Sequence, residues 1–339
     1  MVTMRDVAQR AGVSIATVSF VLNDTKPVTA ATRERIEQAM AELGFRRNMV
    51  ARALASRRTR IIAMAYPALE HKFGGSATEF FIGAAEAARK QDYHLVLWPV
   101  GNDGVELTEL VGQGLVDGVV LMEVQLDDPR VSVLKATGTP FALIGRTTNL
   151  DGLAHVDIDF DTTVAEAVRY LHDLGHRRLV LVSGSMADPS FRNYGPYVRT
   201  EAAYRRATAE YGIETVVTEC TNSAQAGREA AAGLIRDHPG TTAVLALNEF
   251  VALGLMSGLI RLGRAVPSDV SVLSLLTSRE MGALSEPELT IMRSPGPELG
   301  RLGTEALIRQ LERTDPLPPQ LMPCVLEIGG STAAPAVRA

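Results

Sequence analysis

The sequence predicts an all-α helix-turn-helix module at the N-terminus, followed by an α/β body of two doubly wound parallel-sheet lobes. Apolar residues recur at helical spacing through the first 44 residues, apolar runs alternate with longer amphipathic stretches from Ile61 onward, and 339 residues exceed one comfortable core. Hydrophobic residues make up 46% of the chain and charged residues 22%, which argues against long disorder, collagen-like repeats or a fibrous coiled coil.

Three short helices come first. Thr3 and Asp6 have capping-box spacing ahead of a helix over Met4 to Ala11. Gly12 permits a sharp turn, and Ser14 can cap a second helix, ending near Asn23, whose Val18, Val21 and Leu22 share one apolar face. Past the loop DTKP, Thr29 can cap a third helix, in which Ile36, Ala39, Met40 and Leu43 recur at helical spacing before Gly44 closes it. In the body, the candidate strands are IIAMAY from Ile61, HLVLWPV from His94, GVVLM from Gly118, FALI from Phe141, LVLVS from Leu179, TVVTEC from Thr215, AVLAL from Ala243 and VSVLSLL from Val270. Most pairs leave room for a helix between them, and chain crossovers between lobes are expected near Asp159 and Thr290. Ligands of such sheets sit at strand carboxyl ends, so the interlobe cleft is the default pocket.

Charge divides the chain in the same place. Residues 1 to 60 hold 11 Lys and Arg against 5 Asp and Glu, a net of +6, which leaves −11 on the remainder. A small basic module ahead of an acidic body suits a polyanionic partner for the first part only, although a merely solvated basic face has the same charge. Cys220 and Cys324 are too far apart in sequence for a disulfide framework or a close zinc motif, and the expected setting is reducing cytosol. No run of about 18 uncharged apolar residues occurs, so neither a membrane span nor secretion is expected.

A helix, a tight turn at Gly12 and a second helix form the geometry that lets the second helix enter a DNA major groove while the first braces on the backbone. Ser14, Thr17 and Ser19, with Asn23 beyond, place short hydroxyl and amide donors where phosphate can approach; ordinary caps and surface polars would look the same.

The stretch MRDVAQRAGVSIATVSFVLNDTKPVTAATRERIEQAMAELGFRRNMVARALASRRT resembles the DNA-binding headpiece of the lactose and galactose repressor (LacI/GalR) family. The blocks DGVVLM, PFALIGR, VDIDFDTTVAEAVRYLHDLGHRRLVLVSG, ALNEFVALGLMSGLIRLG and VPSDVSVLSL continue the likeness in the expected order, with weak cover only after about Leu326. The resemblance implies a headpiece at 1–46, a hinge helix and linker at 47–60, an effector-binding and dimerisation domain of periplasmic-binding-protein type at 61–330, and a tail at 331–339. It implies a cytoplasmic, ligand-responsive regulator, in most such proteins a repressor, that binds a pseudo-palindromic double-stranded operator as a homodimer, with no cofactor and no enzymatic activity.

Carried over by position, Thr3, Ser14, Thr17, Ser19, Asn23, Thr29, Thr32 and Asn48 match backbone-contacting sites, which set register without reading sequence. Ile15, Ala16 and Phe20 fall where the family varies the residues that face base edges. None of them can make the bidentate bonds of Arg to guanine or Asn to adenine, so thymine methyls and shape are the expected readout; partial packing of Phe20 in the headpiece core is the competing reading. NMVARALA, Asn48 to Ala55, matches the hinge helix, with Ala51 on it and Leu54 as the residue that wedges into the minor groove, unless Leu54 docks on the body. Arg47 stands where proline is usual, which loosens the entry to that helix.

For the effector, commonly a sugar or nucleobase in the family, Asp159 and Glu249 match pocket positions, the latter replacing an aspartate, Arg199 lies beside the family's effector-binding arginine position, and Ser76 is the fourth candidate. Asp159 and Glu249 could instead cap helices. Two departures stand out: Ser76 and Ala77 lie near the place of an expected aromatic pair, and Ser274, Leu275 and Leu276 replace Gly-Phe-Asp. Stacking and one polar group are therefore expected to be missing, and a carbohydrate is the expected ligand class. Walker A, G-x-S-x-G, HExxH and strand-linked G-x-G-x-x-G patterns are all missing from the sequence, which disfavours an enzyme, and His176 in LGHRR reads as a structural loop residue. A binding protein with a vestigial headpiece is the other class; duplex binding with and without the first 60 residues separates them.

Overall fold

The computed structural model describes residues 2–23, 26–45, 58–67, 74–187 and 191–336. The chain forms two compact units, Met1–Thr59 and Arg60–Ala339. In the first, α1 (Met4–Ala11), α2 (Ile15–Asn23) and α3 (Ala30–Leu43) enclose a core of Val7, Ala8, Ala11, Val18, Val21, Leu22, Ile36 and Ala39. The capping box forms as its spacing predicts, with the Asp6 carboxylate accepting from the backbone N–H and hydroxyl of Thr3 at 2.7 and 2.8 Å. Gly12 (φ 65°) and Gly44 (φ 62°) close α1 and α3 in the left-handed region that glycine enters without penalty.

The second unit runs β1 (Ile61–Tyr66), α4 (Gly75–Lys90), β2 (His94–Pro99), α5 (Val105–Gly112), β3 (Gly118–Leu121), α6 (Pro129–Thr137), β4 (Phe141–Ile144), β5 (His155–Ile158). It continues α7 (Phe160–Asp173), β6 (Leu179–Gly184), α8 (Gly195–Glu210), β7 (Val216–Cys220), α9 (Ala224–Asp237), β8 (Ala243–Ala246), α10 (Glu249–Arg261), β9 (Ser271–Thr277), α11 (Arg279–Gly282), β10 (Thr290–Arg293), α12 (Gly296–Glu312), β11 (Gln320–Met322) and β12 (Val325–Glu327). Two six-stranded sheets result, ordered β11-β5-β4-β3-β1-β2 and β12-β10-β9-β8-β6-β7, parallel throughout except for the β10–β12 pair. Central strands such as β3 and β8 are buried on both faces, as helices covering a parallel sheet require.

The chain crosses between lobes three times: at Ile158–Phe160 and Arg293–Gly296, where crossovers near Asp159 and Thr290 are expected, and once more at Met322–Val325. The third crossing joins two strands of three residues each, too short for a periodic pattern to announce. Nor do residues 331–333 hang as a tail: Ser331 Oγ donates to Val272 O and accepts from Thr290 N, and Thr332 meets Tyr170 and Thr290. Hydroxyl bonding, which hydropathy cannot register, holds this stretch against the second sheet.

His176 is buried, its Nδ1 bonded to Thr242 Oγ1 at 2.9 Å and its Nε2 to Ala333 O at 2.9 Å. Burial lowers its pKa from the usual 6.5. The unfolded chain therefore binds the proton more readily, so the contribution of His176 is complete above pH 6.5 and declines as pH falls below it. A denaturant midpoint that drops with acid in this window, and drops less in His176→Asn, is the expected result.

Candidate functional site

Three helix N-termini in the first unit end in exposed hydroxyl caps. Ser14 Oγ accepts from Thr17 N at 3.0 Å and lies 2.8 Å from Thr17 Oγ1, while Thr29 Oγ1 donates to Thr32 Oγ1 at 2.9 Å. Thr3 and Thr29 cap α1 and α3 in the same way. The N-termini of α2 and α3 thus couple a partial positive charge to short hydroxyls with no carboxylate in the first turn, the chemistry that holds a phosphate, whereas at α1 the Asp6 carboxylate already takes the Thr3 donors. Ile15, 43% exposed, and Ala16 project at the start of α2, and Ser19 is half-buried further along it. Phe20 is half-buried outside the headpiece core, with Lys26 Nζ 5.0 Å from its ring centroid. Asn48, Ala51 and Leu54 lie outside the described residues, as does the side chain of Asn23.

In the second unit, two adjoining cavities of about 110 and 120 Å³ open between the lobes and share Ser76, Glu123, Tyr194 and Leu276. Near them the lobes are joined through the backbone: Leu126 N donates to Asn193 O at 2.8 Å and Gly195 N to Val124 O at 3.2 Å. This pairing brings Glu123, just past the end of β3, into one cavity with Tyr194, at the N-cap of α8, and Tyr197 on that helix. The two tyrosine rings meet edge to face with centroids 4.7 Å apart, and Phe191 stacks on Tyr197 at 5.6 Å. A Cβ on Gly184 would collide with the Tyr197 ring, so glycine at the end of β6 makes room for it.

Glu249 and Ser76 line the first cavity together with Tyr66, Asn222 and Phe250. Asn248, not Glu249, caps α10, its side chain accepting from Phe250 N and Val251 N. The Glu249 carboxylate instead reaches across the cleft to the start of α4, where Oε2 accepts from Ser76 N at 3.4 Å. Burial pushes its pKa up, against the pull of the backbone N–H groups of Ser76, Ser278 and Gly75. Oε1 sits where a Cβ of residue 74 would be, which only glycine allows, and accepts no hydrogen bond within normal bonding geometry from the described residues.

Asp159 does not line these cavities. It caps α7, accepting from Thr162 N at 3.0 Å and from Thr162 Oγ1 at 2.7 Å, because a short side chain just before a helix bonds its free N–H groups first. The buried carboxylate of the second cavity belongs to Asp157, two residues earlier on β5. Its Oδ2 accepts from Arg146 Nε at 2.9 Å and lies 3.7 Å from Arg199 Nη1; burial raises its pKa, and Arg199 and Arg146 draw it back. Arg199 does reach this cavity and also donates to Arg146 O at 2.5 Å.

Ser76, Arg199 and Glu249 therefore share the cleft, whereas Tyr66, Glu123, Asp157, Tyr194, Tyr197 and Asn222 are additions to its lining and Arg146 stands behind Asp157. The expected lack of aromatic rings is made good from other segments. PFALIGR and VDID did carry Arg146 and Asp157 as charges at strand ends, the signal that could have found them. The tyrosines carried none.

Comparison with known proteins places both units. The profile described as bacterial regulatory proteins, lacI family, matches residues 3–48, and that of the periplasmic binding protein-like domain matches residues 168–332. The HTH-type transcriptional regulator CelR of Thermobifida fusca is 31% identical over 329 residues, covering 93% of this chain and 94% of the relative. The regulator MalR of Streptomyces coelicolor is 30% identical over 348 residues, covering 99% and 98%. Among solved structures, the lac repressor dimer bound to operator and the anti-inducer ONPF superimposes with a TM-score of 0.83 at 25% identity, covering 98% of this chain and 99% of that one. A CelR–cellobiose complex gives 0.71 at 26%, covering 98% and 100%.

Proposed function

The chain belongs to the lacI family of bacterial regulatory proteins, and from that premise we propose that it is a repressor that grips a pseudo-palindromic operator as a homodimer and answers to a small effector in the interlobe cleft. The observation that carries this reading is the pair of exposed hydroxyl-capped N-termini of α2 and α3, free of acidic residues in their first turns, on a unit of net positive charge. In it, Thr3, Ser14, Thr17, Ser19, Asn23, Thr29, Thr32 and Asn48 position the backbone. Ile15, Ala16 and Phe20 meet base edges, and Ala51 and Leu54 belong to a hinge that enters the minor groove. One headpiece makes few contacts, and a two-fold pair doubles them.

Ser76, Arg199 and Glu249, joined by Asp157, hold the effector. Relatives support a small-molecule reading, since one is solved with cellobiose and another with ONPF. Ligand binding alters lobe closure and with it the pairing of the two hinges. A differential affinity of about 1–3 kcal/mol suffices for such a response.

The test is operator selection from a random duplex library with the full chain and with residues 60–339. The full chain is expected to select a two-fold-related site whose affinity falls steeply with salt, with log K dropping about 0.9 per log unit of salt for each neutralised phosphate. The truncated chain is expected to select nothing. Equal selection by both would overturn the reading.

A further inference from the structure

α4 starts without a cap of its own. Gly74 precedes it with extended backbone (φ −102°, ψ 177°) and makes no side-chain bond to the free N–H groups, and no acidic residue stands in the first turn. The second lobe supplies what is missing. Asn248 already caps α10, so the carboxylate of Glu249 has no duty on its own helix. Oε2 accepts instead from Ser76 N at 3.4 Å, the second amide of α4 and one that a local cap would take.

Two glycines make this approach possible. Oε1 occupies the place of a Cβ on residue 74, so the tip of the glutamate fills the space of the absent cap side chain. A Cβ on Gly75 would collide with Ser278 Oγ and Met281 Cγ, so its absence lets the first turn of α4 press on α11 of the second lobe. A carboxylate at this point also meets the positive end of a 16-residue helix. Glu249 is buried, so its carboxylate is shut against α4 rather than open to water. Aspartate, shorter by one methylene or about 1.5 Å, would not span the same gap.

We infer that Glu249 is a latch between the lobes, a helix cap supplied by the second lobe to α4 of the first, which holds the lobes in the pairing seen here by the chain's own groups. The latch needs no effector. Where it meets the effector reading, and only this step rests on that reading, a ligand that takes hold of Glu249 must first draw it off α4, so binding and unlatching are coupled.

Hydrogen exchange on the full chain, with neither sugar nor DNA added, tests it. The reporters are the amides of Leu126 and Gly195, which bond across the lobes to Asn193 O and Val124 O through backbone alone. Glu249→Asp is expected to speed exchange at Ser76, Leu126 and Gly195 at least about tenfold, a shift of about 1.4 kcal/mol in the opening equilibrium. Gly74→Asn gives α4 a cap of its own, at a backbone conformation that accepts one, and displaces the glutamate tip. It should keep Ser76 protected while speeding Leu126 and Gly195 by a similar factor. Amides of the central strands β3 and β8 should not change in either variant. If Glu249→Asp loosens those strands as well, Gly74→Asn, which removes no buried group, decides. Leu126 and Gly195 exchanging at the parent rate in a variant whose β3 and β8 stay protected would overturn the inference and reduce Glu249 to a cap for α4. The regulator reading would still stand, because operator selection tests it separately.

Discussion

Arg130→Ala is expected to destabilise the body by about 3–5 kcal/mol, the usual cost of leaving one member of a buried ion pair behind. Arg130 and Asp128 are fully buried and joined by two bonds, Nε to Oδ1 at 3.0 Å and Nη2 to Oδ2 at 2.7 Å. Nη2 also donates to Glu123 O at 2.7 Å, and Asp128 accepts from Gln125 N at 3.0 Å. The pair thus pins the segment from Glu123 to Gln125, including Glu123 at φ 53°, where a side chain other than glycine is strained. Nη1 has no partner among the described residues, so the ion pair is itself imperfectly compensated. For that reason a double change of Arg130→Met with Asp128→Asn should recover more than half of the single-variant loss. Urea denaturation of the three chains is the measurement; a single-variant loss below about 1 kcal/mol would mean that the segment is held by something else.

Gly227→Ala and Gly254→Ala should each cost about 1–3 kcal/mol even though alanine is the better helix former. A Cβ on Gly227 would run into the carbonyl of Val251, and one on Gly254 into the carbonyl of Ala224, so the reciprocal pair lets α9 and α10 pack backbone to backbone. The first lobe repeats the device, with Gly83 of α4 against Pro297 and Gly300 of α12 against Phe80. Gly233, on the same helix as Gly227, is the internal control. Its nearest neighbours would lie at 3.8 and 3.9 Å, ordinary contact distances, so Gly233→Ala should stabilise by about 0.5–1 kcal/mol. Opposite signs within one helix separate packing from propensity in a single set of melts.

The strands legible in the sequence were mostly the continuous apolar runs, long as in IIAMAY and VSVLSLL or short as in FALI and AVLAL. His155–Ile158, Thr290–Arg293 and the two three-residue strands were not, because short or polar runs acquire strand geometry from the neighbours they pair with. Within the cleft, Glu249 was legible by position and Asp157 was passed over for Asp159. Both aspartates precede the same helix, and which one caps it depends on where β5 ends.

What the chain of residues settled alone is local. Hydroxyls and glycines at the helix ends set three headpiece helices, hydropathy set the alternation of strands and helices, and charge divided the chain into a basic front and an acidic body. Those effects act between residues a few places apart, so they can be read in order. Only the folded body decided that Glu249 spans the cleft to α4 and that Tyr66, Tyr194 and Tyr197 share a cavity with it. Residues more than a hundred positions apart meet there because two sheets and three crossings bring them together, and the burial that leaves Glu249 Oε1 without a hydrogen bond from the described residues comes from that closure alone.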